Sequence, residues 1–405
     1  MQATSLALDH LLRAVGDPIA ELRGIGPGHP EFNRAQTLRA AAGVLAKSPE
    51  ALPAIAQAIR TTDAALASSQ VRAHLAAAEA WLSGDPVLAA ESYAYILRVW
   101  PRDLLALRLA QSCYFFAGRH ERFCAVVDAA MPAWKREERD FGYVLAMASF
   151  AHAENGDADH AEELGRRALA VDPACPMGVH AVAHAIAESG RHRVGAQWMR
   201  DQRAQWATQS RMCTHNAWHL AMFDAEDGNV ASALGILDEW LLPASEESPI
   251  EACDATGLLW RLAAEGVDDA GRWLRISDAF ERRLTPGFWP FVDLHAGLAH
   301  LAAGKRLRAQ RLVAAIERCA DGDDFAASRA RSVTFPGLQA LLAWAEGRHA
   351  EAAGLFADLQ PSLARAGGSR IQLEVFNSIG REAQRLERVR RPRSKEQAIP
   401  IINAH

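Results

Sequence analysis

No stretch of this 405-residue chain approaches the roughly 20 consecutive apolar residues that a membrane-spanning helix needs, so a membrane protein is not expected. The opening Met1-Gln2-Ala3-Thr4-Ser5-Leu6 lacks a charged segment followed by an apolar run. No signal peptide is therefore expected, and the cytoplasm is the expected compartment. The six cysteines, at 113, 124, 175, 213, 253 and 319, have no paired metal-type spacing and read as reduced thiols, mostly small core residues. No long basic patch precedes the extreme C-terminus and the net charge is −5, which weighs against nucleic acid as a main partner. Also missing are a His-Glu-x-x-His zinc motif, a nucleophile-elbow serine, a glycine-rich phosphate loop and a kinase-type signature. Gly26-Pro27-Gly28 opens no phosphate-binding helix and reads as a turn. Alternating strand patterns fail after a few residues, and β-branched residues are few beside Ala and Leu, so an all-α fold is expected. Half of the residues are hydrophobic, enough for a substantial core in a soluble protein.

What is present is a period. Glycines at 84, 118, 156, 190, 228, 266, 304 and 347 recur at gaps of 34 to 43 residues, each after one helical run and before another. That is the placement of a glycine taking the left-handed conformation just past a helix end. Pro101 and Pro173 follow Gly84 and Gly156 by 17 residues. A glycine between paired helices and a proline after the second is the skeleton of the tetratricopeptide repeat (TPR). One unit would run from Phe141 to Glu154, turn at Asn155-Gly156-Asp157, and return over Asp159 to Ala170. Such a hairpin cannot bury its apolar face alone and must stack on its neighbours. The expected architecture is thus a right-handed α-solenoid of seven or eight TPR-like hairpins over residues 71–385. Residues 1–70 form an irregular helical cap, and 386–405 a mobile basic tail around Arg388-Val389-Arg390-Arg391-Pro392-Arg393.

Two segments of this array carry chemistry. Val179-His180-Ala181-Val182-Ala183-His184 and Thr214-His215-Asn216-Ala217-Trp218-His219 each hold a His-x-x-x-His pair, and residues four apart share one helix face. The pairs are 35 residues apart, close to one repeat, so four imidazoles should point to the same side from adjacent hairpins. Imidazole suits zinc, copper, iron and nickel, and packed helices 8–10 Å apart let both pairs reach one ion, so His180, His184, His215 and His219 are candidate metal ligands. The bland alternative is a set of polar residues bonded to one another and to water inside a crowded superhelix. Asn216 is a candidate to orient a ligand carbonyl, and Trp218 reads as core. Asp293 and His295 lie two 38-residue periods beyond His219 and are candidates to join the same pocket. Cys213 lies about 200° around the helix from His215, which argues against a Cys-His nucleophile.

These residues also resemble a particular family. Asp140-Phe141-Gly142-Tyr143-Val144-Leu145-Ala146-Met147, the two histidine segments, Asp254-Ala255-Thr256-Gly257-Leu258-Leu259-Trp260-Arg261-Leu262 and Phe291-Val292-Asp293-Leu294-His295-Ala296 are similar to the tetratricopeptide repeat protein 38 family. The likeness spans about residues 25 to 388 and implies a curved TPR-like array with no established reaction. In one segment the chain departs from the family. Where the family tends to read Gly-Gly-Ser-His-x-Gln-Arg-Asp, this chain has Gly367-Gly368-Ser369-Arg370-Ile371-Gln372-Leu373-Glu374. If that segment belongs to the shared site, Arg370 and Glu374 imply a different, anionic ligand.

Two functions are open at this level. In one, the concave face forms a His-lined pocket for a small molecule, with a transition metal such as zinc and with or without catalysis. In the other, a non-enzymatic scaffold holds a peptide or partner protein in its groove. A small-molecule site needs polar groups converging at one depth between apolar walls, whereas a peptide clamp spreads them along many repeats. Histidines concentrated in central repeats favour the pocket.

Overall fold

The computed structural model describes residues 3–138, 140–207, 212–267 and 269–390. Helices make up nearly all of it, and no strand occurs among the described residues. From Ser69 to Leu359 the helices alternate as hairpins. Two of them are Phe141–Glu154 with Ala158–Val171, and Pro176–Glu188 with His192–Asp201. The next are Cys213–Glu226 with its return helix from Val230, and Pro249–Ala264 with Ala270–Arg283. The chain is an all-α TPR-like solenoid. Before it lie Ala3–Arg13, Phe32–Ala46 and Leu52–Thr61; after it, one long helix runs Arg370–Arg390. That helix extends through the first five residues of the expected tail, whose remaining residues 391–405 lie outside the described ones. No described helix is long and apolar enough to cross a membrane.

The turn glycines do what the period requires. Gly156 and Gly190 have φ of 87° and 65°, in the region where any side chain is strained, and each closes the first helix of its hairpin. The following Asp157 caps the second helix by accepting from the His160 backbone N–H.

The two helices of a hairpin differ in burial, and this positions the site. In Ala158–Val171 only Ala161, Leu164, Gly165 and Ala168 are buried, a single stripe. In Pro176–Glu188 every residue from Pro176 to Ile186 is buried, because this helix is packed on all sides. Small residues make that density attainable: a side chain at Gly195 would strike the Phe223 ring of the next hairpin.

The solenoid closes on itself. Arg329 is 2% exposed, and its guanidinium donates to the Phe116 carbonyl at 3.0 Å, to Ala366 at 2.7 Å and to Arg365 at 3.0 Å. A hairpin near the start therefore meets a segment some 210 residues later. A Cβ on Gly118 would collide with the Ala364 backbone, so the seam is tight. Closure converts what would be an open concave wall into an interior.

Candidate metal centre

The four histidines of the two pairs come together in that interior. All six ring-centroid separations among His180, His184, His215 and His219 lie between 4.5 and 6.5 Å. One nitrogen from each ring can be chosen so that no pair is more than 4.8 Å apart. His184 Nε2 and His180 Nε2 are 3.0 Å apart. A tetrahedral zinc with Zn–N bonds of about 2.0–2.1 Å has edges of about 3.3 Å, so the shortest edge is already near that value and the wider ones need modest side-chain movement. The local register explains the convergence. The turn glycines 190 and 228 are 38 residues apart while the histidine pairs are 35 apart. The three-residue difference is nearly one helical turn, so the second pair keeps the inner face and shifts along it.

Buried carboxylates orient two of the rings from behind. His215 Nδ1 donates to Asp254 Oδ2 at 2.6 Å, and His184 Nδ1 lies 3.1 Å from Glu154 Oε1 in an off-line ion-pair contact. Both carboxylates are in turn held by the start of the C-terminal helix. The Arg370 backbone N–H donates to Glu154 Oε2 at 2.8 Å, and Gln372 Nε2 donates to Asp254 Oδ1 at 2.7 Å. A histidine whose Nδ1–H is fixed by a carboxylate presents the lone pair of Nε2, the arrangement that supports metal-ligating histidines. His219 has no partner at either nitrogen and His180 none at Nδ1 among the described residues. Buried polar atoms of this kind are rare without a bound partner.

The electrostatics are uneven across the four. Burial and then the neighbouring imidazoles hold His180 and His219 well below the ordinary histidine range, so both are neutral with lone pairs available. Burial also lowers His184, against the opposing pull of Glu154. His215 goes the other way, because the Asp254 charge and hydrogen bond outweigh its burial. Glu154 lies below the usual carboxylate range although burial acts to raise it, since His184, the charge of His120 and the Arg370 N–H together prevail. His215 is also the least enclosed of the four, at 17% side-chain exposure, while His184 and His219 are at zero.

Asn216 is fully buried, and neither its amide oxygen nor its nitrogen has a partner among the described residues. Trp218 is core, as its face suggested, but it also stacks on the His215 ring at 5.2 Å and 15°. Asp293 and His295 do not join the four. His295 donates through Nδ1 to the Phe291 carbonyl at 2.7 Å, and its ring lies against Phe291 and Phe376. Asp293 accepts from the Gly287 N–H at 3.1 Å, and burial pushes its carboxyl up to about 8. Two further hairpins along the solenoid, equivalent positions face an aromatic part of the wall. The sequence reading also missed Glu154, Asp254 and Gln372 as parts of the site, though Asp254 stands in a quoted segment and Gln372 beside Arg370 in the Gly367–Glu374 stretch.

A second group, Cys124, Asp128 and His152, brings possible ligand atoms equally close. It fits a metal less well: Asp128 is exposed, and burial together with Asp128 pushes the Cys124 thiol up to about 11. A groove of about 1350 Å³ is lined by Glu188, Trp260, Arg261, Arg370, Glu374 and others. None of the four histidines lines it.

Fold and site together define a TPR-like solenoid with a buried polyhistidine cluster. No protein-family model matches the chain. Among solved structures it is similar to a tetratricopeptide repeat protein from Parabacteroides merdae, at 12% identity and a TM-score of 0.41, over 78% of this chain and 99% of that one. It is similar also to Rap protein complexed with Competence and Sporulation Factor, at 10% identity and a TM-score of 0.45, over 96% and 99% of the two chains. Human IFIT1 as a dimer with PPP-AAAA aligns at 14% identity and a TM-score of 0.47, over 94% of this chain and 87% of that one.

Proposed function

We propose that His180, His184, His215 and His219 bind one divalent transition-metal ion, zinc or an ion of similar preference, at the heart of a small-molecule site. The observation that carries this is the convergence of four buried imidazoles from adjacent helices, two of them backed by buried carboxylates. Four imidazole nitrogen donors suit zinc, copper, iron or nickel rather than magnesium or calcium. Four imidazoles fill a tetrahedral shell, so such an ion would act as a Lewis acid only by taking a fifth ligand, a water or ligand atom entering beside His215, the one ring with appreciable exposure. Asn216, with both amide atoms unsatisfied, is the proposed neutral hydrogen-bonding group. Asp293 and His295 belong to the neighbouring wall and are not assigned as ligands. Membership of the tetratricopeptide repeat protein 38 family is part of this proposal, supported by the resembling segment that carries Asp254, while the Gly367–Glu374 stretch departs from that family's pattern.

The alternative is a scaffold that takes a peptide or partner protein in the groove lined by Glu188 and Arg370. Charges there are already matched within the chain, with Arg370 on Glu188, Arg261 on Glu226 and Arg381 on Glu374. The unsatisfied polar atoms of the interior favour the metal reading.

The test is calorimetric titration of chelator-treated protein with zinc. Wild type should bind one equivalent, and the double variant His184→Ala/His219→Ala should bind none at this site while its helicity and melting stay near wild type. Equal zinc binding by the variant would defeat the proposal, as would its unfolding, which makes these residues structural.

A further inference from the structure

Exposed large apolar side chains mostly stand singly on this chain, as Val194 and Leu307 do, but three of them share one helix. Pro86–Val99 pairs with Ser69–Leu82 in a hairpin, and Pro86, Ala89, Ala90, Tyr93 and Ile96 bury its inner face. On its outer face Leu88, Tyr95 and Val99 are 49%, 61% and 55% exposed. At 3.6 residues per turn their directions fall within about 40° of one another, so they form a single stripe. The half-buried Ser92 belongs to the same stripe. Leu88, Ser92, Tyr95 and Val99 are thus spaced by four, three and four residues, the spacing of a seam along which two helices pack.

One flank of the stripe is charged. Glu91 and Arg98 are both exposed, and neither joins an ion pair among the described residues. Arg98 lies instead over the ring of Tyr95, 5.9 Å from its centroid. The two charges sit seven residues apart on the same flank, about 10.5 Å along the axis. A two-fold axis passing between Tyr93 and Ala94 satisfies the stripe and the flank together. Set antiparallel across it, Leu88 meets Val99 of a second copy, and the small Ser92 leaves room for Tyr95. Glu91 then comes beside Arg98, and every contact occurs twice, as an isologous interface requires. A parallel pairing would set Glu91 against Glu91 and Arg98 against Arg98, which like-charge repulsion disfavours.

We infer that the outer face of Pro86–Val99 is an interaction surface for a second copy of this chain, the two helices packing antiparallel about a two-fold axis. Tyr95 is its centre, since tyrosine offers a large apolar ring with little side-chain freedom to lose. A single helix pair lies at the small end of protein interfaces, so the association is weak, in the micromolar range. The inference is independent of the metal reading, because none of the four imidazoles is on this helix.

Sedimentation velocity of the full chain at about 1–100 µM tests it. Wild type should pass from monomer to dimer across that range. Tyr95→Glu should weaken the dimer at least tenfold. Glu91→Arg should do about the same, since it sets Arg beside Arg98 at both ends of the helix pair. Glu91→Arg/Arg98→Glu restores opposite charges and should return the dimer to within a few-fold of wild type. Helicity and melting of the monomer should stay near wild type in all three, because the changed side chains are exposed. A monomer at every concentration overturns the inference and leaves this face to a different partner. A dimer indifferent to Tyr95→Glu, or a double variant no better than Glu91→Arg, overturns it too by placing the contact on other residues.

Discussion

Replacing Asp254 with Asn tests whether the carboxylate behind His215 acts through the metal. Asp254 accepts from His215 Nδ1 at 2.6 Å and from Gln372 Nε2 at 2.7 Å, and it is 3% exposed, so both bonds are charge-assisted and shielded from water. Asn keeps an oxygen for the Nδ1–H and loses the charge. In the metal-free protein a charge-assisted bond worth about 1.5–3 kcal/mol becomes a neutral one worth about 0.5–1.5, so stability should fall by roughly 1–2 kcal/mol. In the metal-loaded protein the loss of an outer-shell carboxylate should weaken metal binding by about 10–100-fold, or roughly 1.4–2.8 kcal/mol. Competition between the protein and a chromophoric zinc chelator measures the second quantity, and urea unfolding of the stripped protein measures the first. A folded Asp254→Asn variant that binds zinc within twofold of wild type refutes the reasoning, because the carboxylate would then serve the fold alone.

Gly190→Val should destabilise by about 1–3 kcal/mol in urea unfolding, from backbone strain at φ 65° alone, because nothing lies within 4 Å of an added Cβ. Gly190→Asn should recover part of that loss; equal stability of all three proteins would contradict the turn assignment. The Asp103 carboxyl, 2.8 Å from His74 Nε2, is held below its ordinary value: burial acts to raise it, and the bonds from His74, the Ala106 N–H and Gln70 prevail. A depressed carboxyl contributes stability above its unfolded value of about 4 that is lost as pH falls through its folded value. Asp103→Asn should therefore narrow the stability difference between pH 7 and pH 3, and an unchanged difference would count against the pair. Of the six thiols, Cys213 and Cys319 are partly exposed and should react with a thiol reagent in the native state. Buried Cys113, Cys124, Cys175 and Cys253 should react only after unfolding; four or more fast thiols would contradict the packing.

The hairpins were legible because one residue type marks each turn. Glycine at Gly84, Gly118, Gly156 and their successors is required by positive φ, and the helix from Phe141 to Glu154 has the bounds that the apolar run and Gly156 imply. The two histidine pairs were legible for a similar reason, since spacing of four within a helix and one repeat between helices depends on nearest neighbours only. What periodicity does not carry is the meeting of distant ends. Glu154 and Asp254 lie one hairpin to either side of the pairs, and Gln372 reaches Asp254 across 118 residues. That contact exists because Arg329 draws the Ala366 segment onto Phe116, a closure with no periodic signature. Asp293 and His295 show what phase alone leaves open. Their phase is right for the inner wall, but position along the solenoid places His295 against Phe291 and Phe376.

X-ray absorption spectroscopy of the zinc-loaded protein tests the central claim most directly. The account predicts a first shell of nitrogen and oxygen only, at about 2.0–2.1 Å, with the outer scattering of three to four imidazoles that disappears in the His184→Ala/His219→Ala variant. A sulfur shell at about 2.3 Å, or scattering without imidazole, would contradict it and move the metal to Cys124, Asp128 and His152 or to no built site at all.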